Sequence, residues 1–349
     1  MGFARYLVGD SRKISRILEN TPRKPDLIIS SPPYSDIKNY EDHPEQIGYG
    51  QKYESYLDDV ARVFQGCYDI SSSAATFWMI VDSVKTEHKD VKPLPFDISN
   101  RLNKNSSETW RLRDVIIWNK QKNVPWYGRG HLKNHFEYVL FFTKGDDYKF
   151  HIDEIREIHD LKKWWLTYPE RYSPEGVSPP NVWEITTQIK GWGRYNFQHM
   201  CPFPFPLVER IVNLASDEGD LVLVPFAGSG SAIAIASVMG RDAIGVDINE
   251  KYKEEFNAVL QDAKAYWSRR VKEVDLLKQK LANFKQINIK LRQLKLASAY
   301  CNYLDDNFID RRNLLGYVCI ADPSNDHGIR LSAIVAEPLY KKDIKETDD

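Results

Sequence analysis

The feature that most constrains this chain is the run LVLVPFAGSGSAIAIASVMGRDAIGVDIN, residues 221–249. A hydrophobic strand enters a loop carrying Gly228 and Gly230, a helix follows from Ser231, and a second strand ends at Asp247. Small residues in such a loop let a ligand approach the backbone at the strand's C-terminal end. An acidic side chain about twenty residues on can take two hydrogen bonds from a ribose diol. A dinucleotide site asks for a third small residue at the sixth position of the loop motif, where this chain has Ile233, and no GKS or GKT is present for a triphosphate. The unit therefore points to a nucleoside-containing cofactor without a pyrophosphate.

The same alternation runs through the first half. ARYLV, DLIIS, ATFWMIV, RDVIIWN and YVLFFT read as strands, and YESYLDDVARVFQGCYDI places apolar residues at helical spacing. Strands alternating with helices indicate an α/β fold with a mostly parallel twisted sheet. Residues 151–195 are rich in Trp, Tyr, Pro and Gly and suit an irregular insertion; the pattern resumes at 203. Residues 251–304 contain neither Gly nor Pro and read as one or two long helices. The expected division is a Rossmann-like domain over 1–250 and a helical extension over 251–349.

Several classes are excluded. With 349 residues and 42% hydrophobic content the chain can bury a large core, yet it has no run of about 18 apolar residues to span a membrane. The N-terminus lacks the apolar segment of a signal peptide. Cys67, Cys201, Cys301 and Cys319 form no CxxC pair, so no metal site is expected and a reducing cytoplasm is the expected location. Net charge is −1, so any nucleic-acid surface must come from local clustering.

A second stretch, DLIISSPPYSD (26–36), ends a short buried strand with two prolines and an aromatic ring. Prolines cannot donate ladder hydrogen bonds and each fixes φ, so the chain leaves the sheet in a stiff extended turn. SPPY followed much later by PFAGSGS resembles the amino-methylating DNA methyltransferases that use S-adenosylmethionine, and in particular their permuted beta class, where the catalytic motif precedes the cofactor motif. FEYVLFFTKG (136–145), NVWEITTQ (181–188) and HMCPFPFPLVERIV (199–212) also resemble segments of that class. The resemblance covers about residues 1–250.

That resemblance implies a site-specific methyltransferase with Ser31, Pro32, Pro33 and Tyr34 as catalytic residues. S-adenosylmethionine would be held by Asp10, Phe203, Pro204, Pro225, Phe226, Gly228, Gly230, Ser231 and Asp247. An exocyclic amine is a weak nucleophile because its lone pair is delocalised into the ring. A side-chain oxygen at position 31 and the carbonyl of Pro32 can accept its hydrogens, and the double proline holds both acceptors still. Tyr34 offers a flat face for a base that must be flipped out of the duplex. In this family SPPY tends to accompany cytosine N4, with adenine N6 as the alternative and an RNA or protein amide a more distant one. Cytosine C5 transfer needs a cysteine nucleophile, in that family within a Pro-Cys pair, and this chain has only Cys201-Pro202. The family's loop commonly begins with Asp where this chain has Val224.

The expected partner is double-stranded DNA; a second copy of the chain and a separate restriction endonuclease are further candidates. Residues 119–135 carry Lys120, Lys122, Arg129 and Lys133 with Trp126 and Tyr127 and no acid, which suits phosphate contact and the gap left by a flipped base. Residues 151–195 stand where the class places its target-recognition segment. From Arg269 to Lys295 nine basic residues, Lys285, Lys290 and Arg292 among them, face two acids. The extension is therefore expected to bind DNA or to dimerise.

Overall fold

Strands buried on both faces read as continuous apolar runs, whereas strands with one wet face alternate. The computed structural model describes residues 1–34, 45–48, 50–85, 90–104, 108–120, 132, 134–156, 178–187, 202–300, 318–321 and 329–332. Three of its strands are buried at every position, β9 (Leu221–Pro225), β2 (Leu27–Ser30) and β3 (Thr76–Val81), and they lie side by side at the middle of an eight-stranded sheet. The order is β1-β10-β9-β2-β3-β7-β6-β8, with β1 Ala4–Val8, β3 Thr76–Val81, β6 Arg111–Asn119, β7 Phe136–Thr143, β8 Val182–Glu184 and β10 Asp242–Asp247. Two short strands, β4 (Val84–Lys85) and β5 (Val91–Lys92), pair antiparallel outside it.

From β1 through β3 every neighbour is parallel. The strands β7 and β6 then form an antiparallel pair, and β8 runs parallel to β6. The mostly parallel sheet is as expected, and the reversal at β7 is what the strand pattern did not reveal.

Helices cover both faces. A first short helix, α1, spans Ile14–Ile17. On the same side as α1, α2 (Tyr53–Ile70) buries Tyr56, Val60, Val63, Phe64 and Cys67, one stripe at three- and four-residue spacing, and α3 (Leu94–Lys104) adds Leu94, Ile98 and Leu102. On the other side lie α4 (Phe205–Ala215), α5 (Ser231–Val238) and the start of α6 (Glu250–Tyr300). All eight residues of α5 are buried, so its Ala and Ser side chains let it sit close to the sheet.

That closeness explains Ile233. A Cβ on Gly245 of β10 would lie 2.0 Å from Ile233 Cδ1 and 2.9 Å from Ala227 Cβ. The small residue missing from the helix is supplied by the strand beneath it. Gly245→Ala should therefore cost about 1–3 kcal/mol by overpacking. Ile233→Val removes the clashing Cδ1, so the double variant should be more stable than the sum of the single effects predicts. Additive losses in urea unfolding would disprove the pairing.

The chain forms two compact units, Met1–Ile155 with Pro179–Arg270, and Arg156–Ser178 with Val271–Asp349. The first turns of α6 belong to the first: Phe256, Val259 and Ala263 are buried in its core, while Tyr266 and Arg270 bond Glu209 of α4. In the second, the stretch read as helical also carries an antiparallel pair, β11 (Val318–Ala321) with β12 (Ile329–Ser332).

Candidate active site

The chain runs from β2 through α2 to β3 on one side of the sheet's midline and from β9 through α5 to β10 on the other. Ligands in open α/β sheets bind outside the carboxyl ends of strands at such a reversal. The SPPY turn leaves β2 at this point and the glycine loop leaves β9 beside it. A direct bond joins them: the hydroxyl of fully buried Ser30 donates to the carbonyl of Pro225 at 2.7 Å.

The loop after β9 is wound tightly. Phe226, Gly228 and Gly230 all take positive φ (60°, 52° and 81°), and Phe226 is the one non-glycine residue to do so among those described. Gly230 has no alternative, since a Cβ there would lie 2.4 Å from the Phe256 ring. The Phe226 ring meets Phe64 edge-on, and Tyr6 donates to the carbonyl of Gly228 at 2.5 Å. Ser231 is buried and shares a hydrogen bond with Ser229, so it braces the loop from within.

Asp247 closes this side. It is half-buried, and its two carboxylate oxygens accept from Gly228 N–H (2.8 Å) and Asn249 N–H (3.0 Å). Burial pushes its carboxyl above the ordinary range, against the pull of these backbone donors. A carboxylate here can accept from a ribose diol while the same side chain shapes the loop. At the end of β1, Asp10 is occupied differently: Arg12 binds both its oxygens at 3.0 and 3.1 Å. Burial raises the Asp10 carboxyl, but the Arg12 hydrogen bonds and charge outweigh it and hold it below its usual value. Arg12 reaches on to Asp59 of α2. Pro204 is the buried residue before α4, and Phe203 packs partly buried on the same core.

The SPPY turn is clamped along its length. Besides Ser30, Tyr56 of α2 donates to the carbonyl of Pro33 at 2.7 Å, and the Tyr34 hydroxyl donates to Glu137 at 3.1 Å. Ser31 lies within hydrogen-bond reach of the Tyr34 oxygen. Glu137 is also bound by Lys120 at 2.5 Å, and the carboxylate of Asp82, just past β3, is held by Asn134. Burial first, then the charge of Glu137, raise Asp82 to about 6, against Lys120, Asn134 and the Ser83 N–H.

A raised carboxyl binds its proton more tightly in the folded state. Stability from Asp82 is thus full below pH 4 and lost as pH rises towards 6. By linkage this amounts to up to about 3 kcal/mol. Asp82→Asn should raise the melting temperature at pH 7.5 and flatten the pH dependence between 4 and 6. An unchanged melting profile would contradict this account.

Among the expected DNA-contact residues, Lys120 lies at the end of β6, one-sixth exposed, with its charge matched by Glu137. Lys122, Trp126, Arg129 and Lys133 lie outside the described residues, as do the side chains of Lys285, Lys290 and Arg292. Sequence reasoning passed over Ser30, Tyr56, Asp82 and Glu137. Only Glu137 left a trace, as the single acid in an otherwise aromatic and aliphatic strand.

Comparison with known proteins adds to this geometry. Residues 25–258 match a family model described as DNA methylase (N6_N4_Mtase). Type II methyltransferase M.HpaI of Haemophilus parainfluenzae is 26% identical over 234 residues, 66% of this chain and 66% of that protein. DNA adenine methyltransferase YhdJ of Escherichia coli (strain K12) is 26% identical over 238 residues, 65% of this chain and 73% of that one. The structure of the PvuII DNA methyltransferase (cytosine-N4-specific) superposes with a TM-score of 0.54 at 17% identity, covering 75% of this chain and 94% of that one, and so shares the fold.

Proposed function

The chain belongs to the N6/N4 family of DNA methylases, and from that premise we propose that it methylates the N4 amine of a specific cytosine in double-stranded DNA. Its cofactor is S-adenosylmethionine, which when bound supplies a methyl group on a positively charged sulfur. The observation that carries the reading is the Ser30–Pro225 bond, which fixes the SPPY turn against the glycine loop and so sets the amine acceptors beside a nucleoside site. Asp247 and the loop from Phe226 to Gly230 would hold the adenosine side, with Phe203 and Pro204 covering the methionine end.

The carbonyl of Pro32 and the hydroxyl of Ser31 accept the hydrogens of the target amine and hold its nitrogen in line. Because the turn is clamped through Ser30 and Pro33, little ordering is left to be lost at reaction. A serine at position 31 can also donate, which suits the ring N3 of cytosine beside the amine; a carboxylate could not. In the chain order the SPPY turn precedes the glycine loop, which supports the permuted beta class. Adenine N6 is the second reading, supported by the relative named for adenine. The type II names of relatives such as M.HpaI support a separate restriction endonuclease as partner, and the apolar stripe of the extension (Trp267, Val274, Leu277, Leu281, Phe284 and Leu291, near heptad spacing) supports pairing with a second copy.

Genomic DNA from a host expressing the protein, digested and analysed by mass spectrometry, should contain N4-methylcytosine. N6-methyladenine alone would overturn the base assignment, and no new methylated base would overturn the activity. Sequencing of the modified sites should reveal one short recognition sequence.

A further inference from the structure

We propose that Glu137, locked in place by Lys120, is a positioning residue that holds the Tyr34 ring where the extruded base is to stack. The inference rests on the methyltransferase reading above. Tyr34 follows two prolines whose φ angles are fixed, and the Pro33 carbonyl is bound by Tyr56, so the backbone leading into Tyr34 is already stiff. What remains free is the side chain, which turns about two torsions. A hydrogen bond at the far end of the ring pins its long axis and so fixes the first torsion, and the Tyr34 hydroxyl makes such a bond to Glu137 Oε2.

The carboxylate is divided between two partners. Lys120 Nζ takes Oε1 and the Tyr34 hydroxyl takes Oε2, so the ion pair fixes the rotamer that presents the second oxygen to the ring. Lys120 is itself placed by the sheet, through its backbone N–H to the carbonyl of His135 at 2.8 Å, while Glu137 stands opposite Trp118 in the β6–β7 ladder. Both ion-pair partners have side chains only 16% exposed. A pair so far removed from water is a weak source of stability, because desolvation cancels much of the attraction. A geometric role accounts for it better. Burial and the charge of Glu137 keep the phenol protonated, so it stays the donor in this bond.

The test is a set of variants assayed on the duplex that the wild-type protein methylates. Tyr34→Phe keeps the ring and removes only the hydroxyl. Lys120→Met/Glu137→Met removes both charges together, so that neither is left buried alone. Each should lower kcat and raise the DNA KM, to about ten-fold in kcat/KM, as loss of one hydrogen bond to a charged acceptor allows. S-adenosylmethionine affinity should stay at the wild-type value, which a general loosening of the fold would not permit. The triple variant should be no worse than Tyr34→Phe alone, since in that variant the ring has already lost its contact with Glu137. Lys120→Met/Glu137→Gln, which leaves no charge unpaired and keeps an amide oxygen that can accept from Tyr34, should recover part of the rate. Wild-type kinetics in Tyr34→Phe, or losses that multiply in the triple variant, would overturn the positioning role with the methyltransferase reading intact. A wild-type protein that transfers no methyl to DNA would instead bring down the functional reading and this inference with it.

Discussion

Asp247→Ala is expected to weaken S-adenosylmethionine binding by roughly 100-fold or more, measured by calorimetry. A hydrogen bond to a charged acceptor is worth about 1.5–3 kcal/mol, and a ribose diol offers two. The variant loses more than those contacts. With the carboxylate gone, the N–H groups of Gly228 and Asn249 lose the acceptor that now holds the loop in shape. Asp247→Asn keeps one acceptor oxygen and should fall between the two. Because burial raises the Asp247 carboxyl, wild-type affinity should start to fall on acidification at a higher pH than an ordinary aspartate would give. An unaltered dissociation constant in the alanine variant would refute the assignment.

Much of this half of the site was legible in the sequence because its chemistry is local. The glycines, the helix after them and Asp247 lie within one strand–helix–strand unit, so their spacing alone brings them together. Helix α2 was equally plain, since an amphipathic stripe fixes its length and face from the residues themselves. The substitution at Ile233 shows the limit. Read along the chain it argued only against a dinucleotide. In the fold its bulk is taken up by Gly245, twelve residues away and on a different element.

The SPPY clamp was not legible for the same reason. Ser30 and Pro225 are separated by 195 positions, and Tyr34 and Glu137 by 103. Those pairs exist only because β2 lies beside β9 and because β7 runs antiparallel to β3. A strand's direction in the sheet leaves no mark on its hydrophobic pattern. Lys120 illustrates the consequence. In sequence it heads a basic loop, but the reversal at β7 sets it against Glu137, and its charge is spent inside the protein.

With Lys120 so engaged, the positive charge that a polyanionic substrate requires must come largely from elsewhere. The densest basic segment runs from Arg269 to Lys295, with nine Lys and Arg against Glu273 and Asp275. Arg270 is committed to Glu209. Replacing Lys285, Lys290, Arg292 and Lys295 with Gln should weaken DNA binding strongly and to all sequences alike. Each phosphate contact contributes about 0.9 to the slope of log affinity against log salt, so four contacts would flatten it by up to about 3.6. The recognition sequence should not change, because phosphate contacts position a protein without reading bases. S-adenosylmethionine affinity should also hold, since Asp247 and the glycine loop belong to the compact unit that ends at Arg270. Unaltered DNA affinity and salt slope in the four-fold variant would rule out phosphate contact by these residues. The apolar stripe of α6, with Trp267 already packed on the first unit's core, would then account for the helix as a brace or as the seam between two subunits.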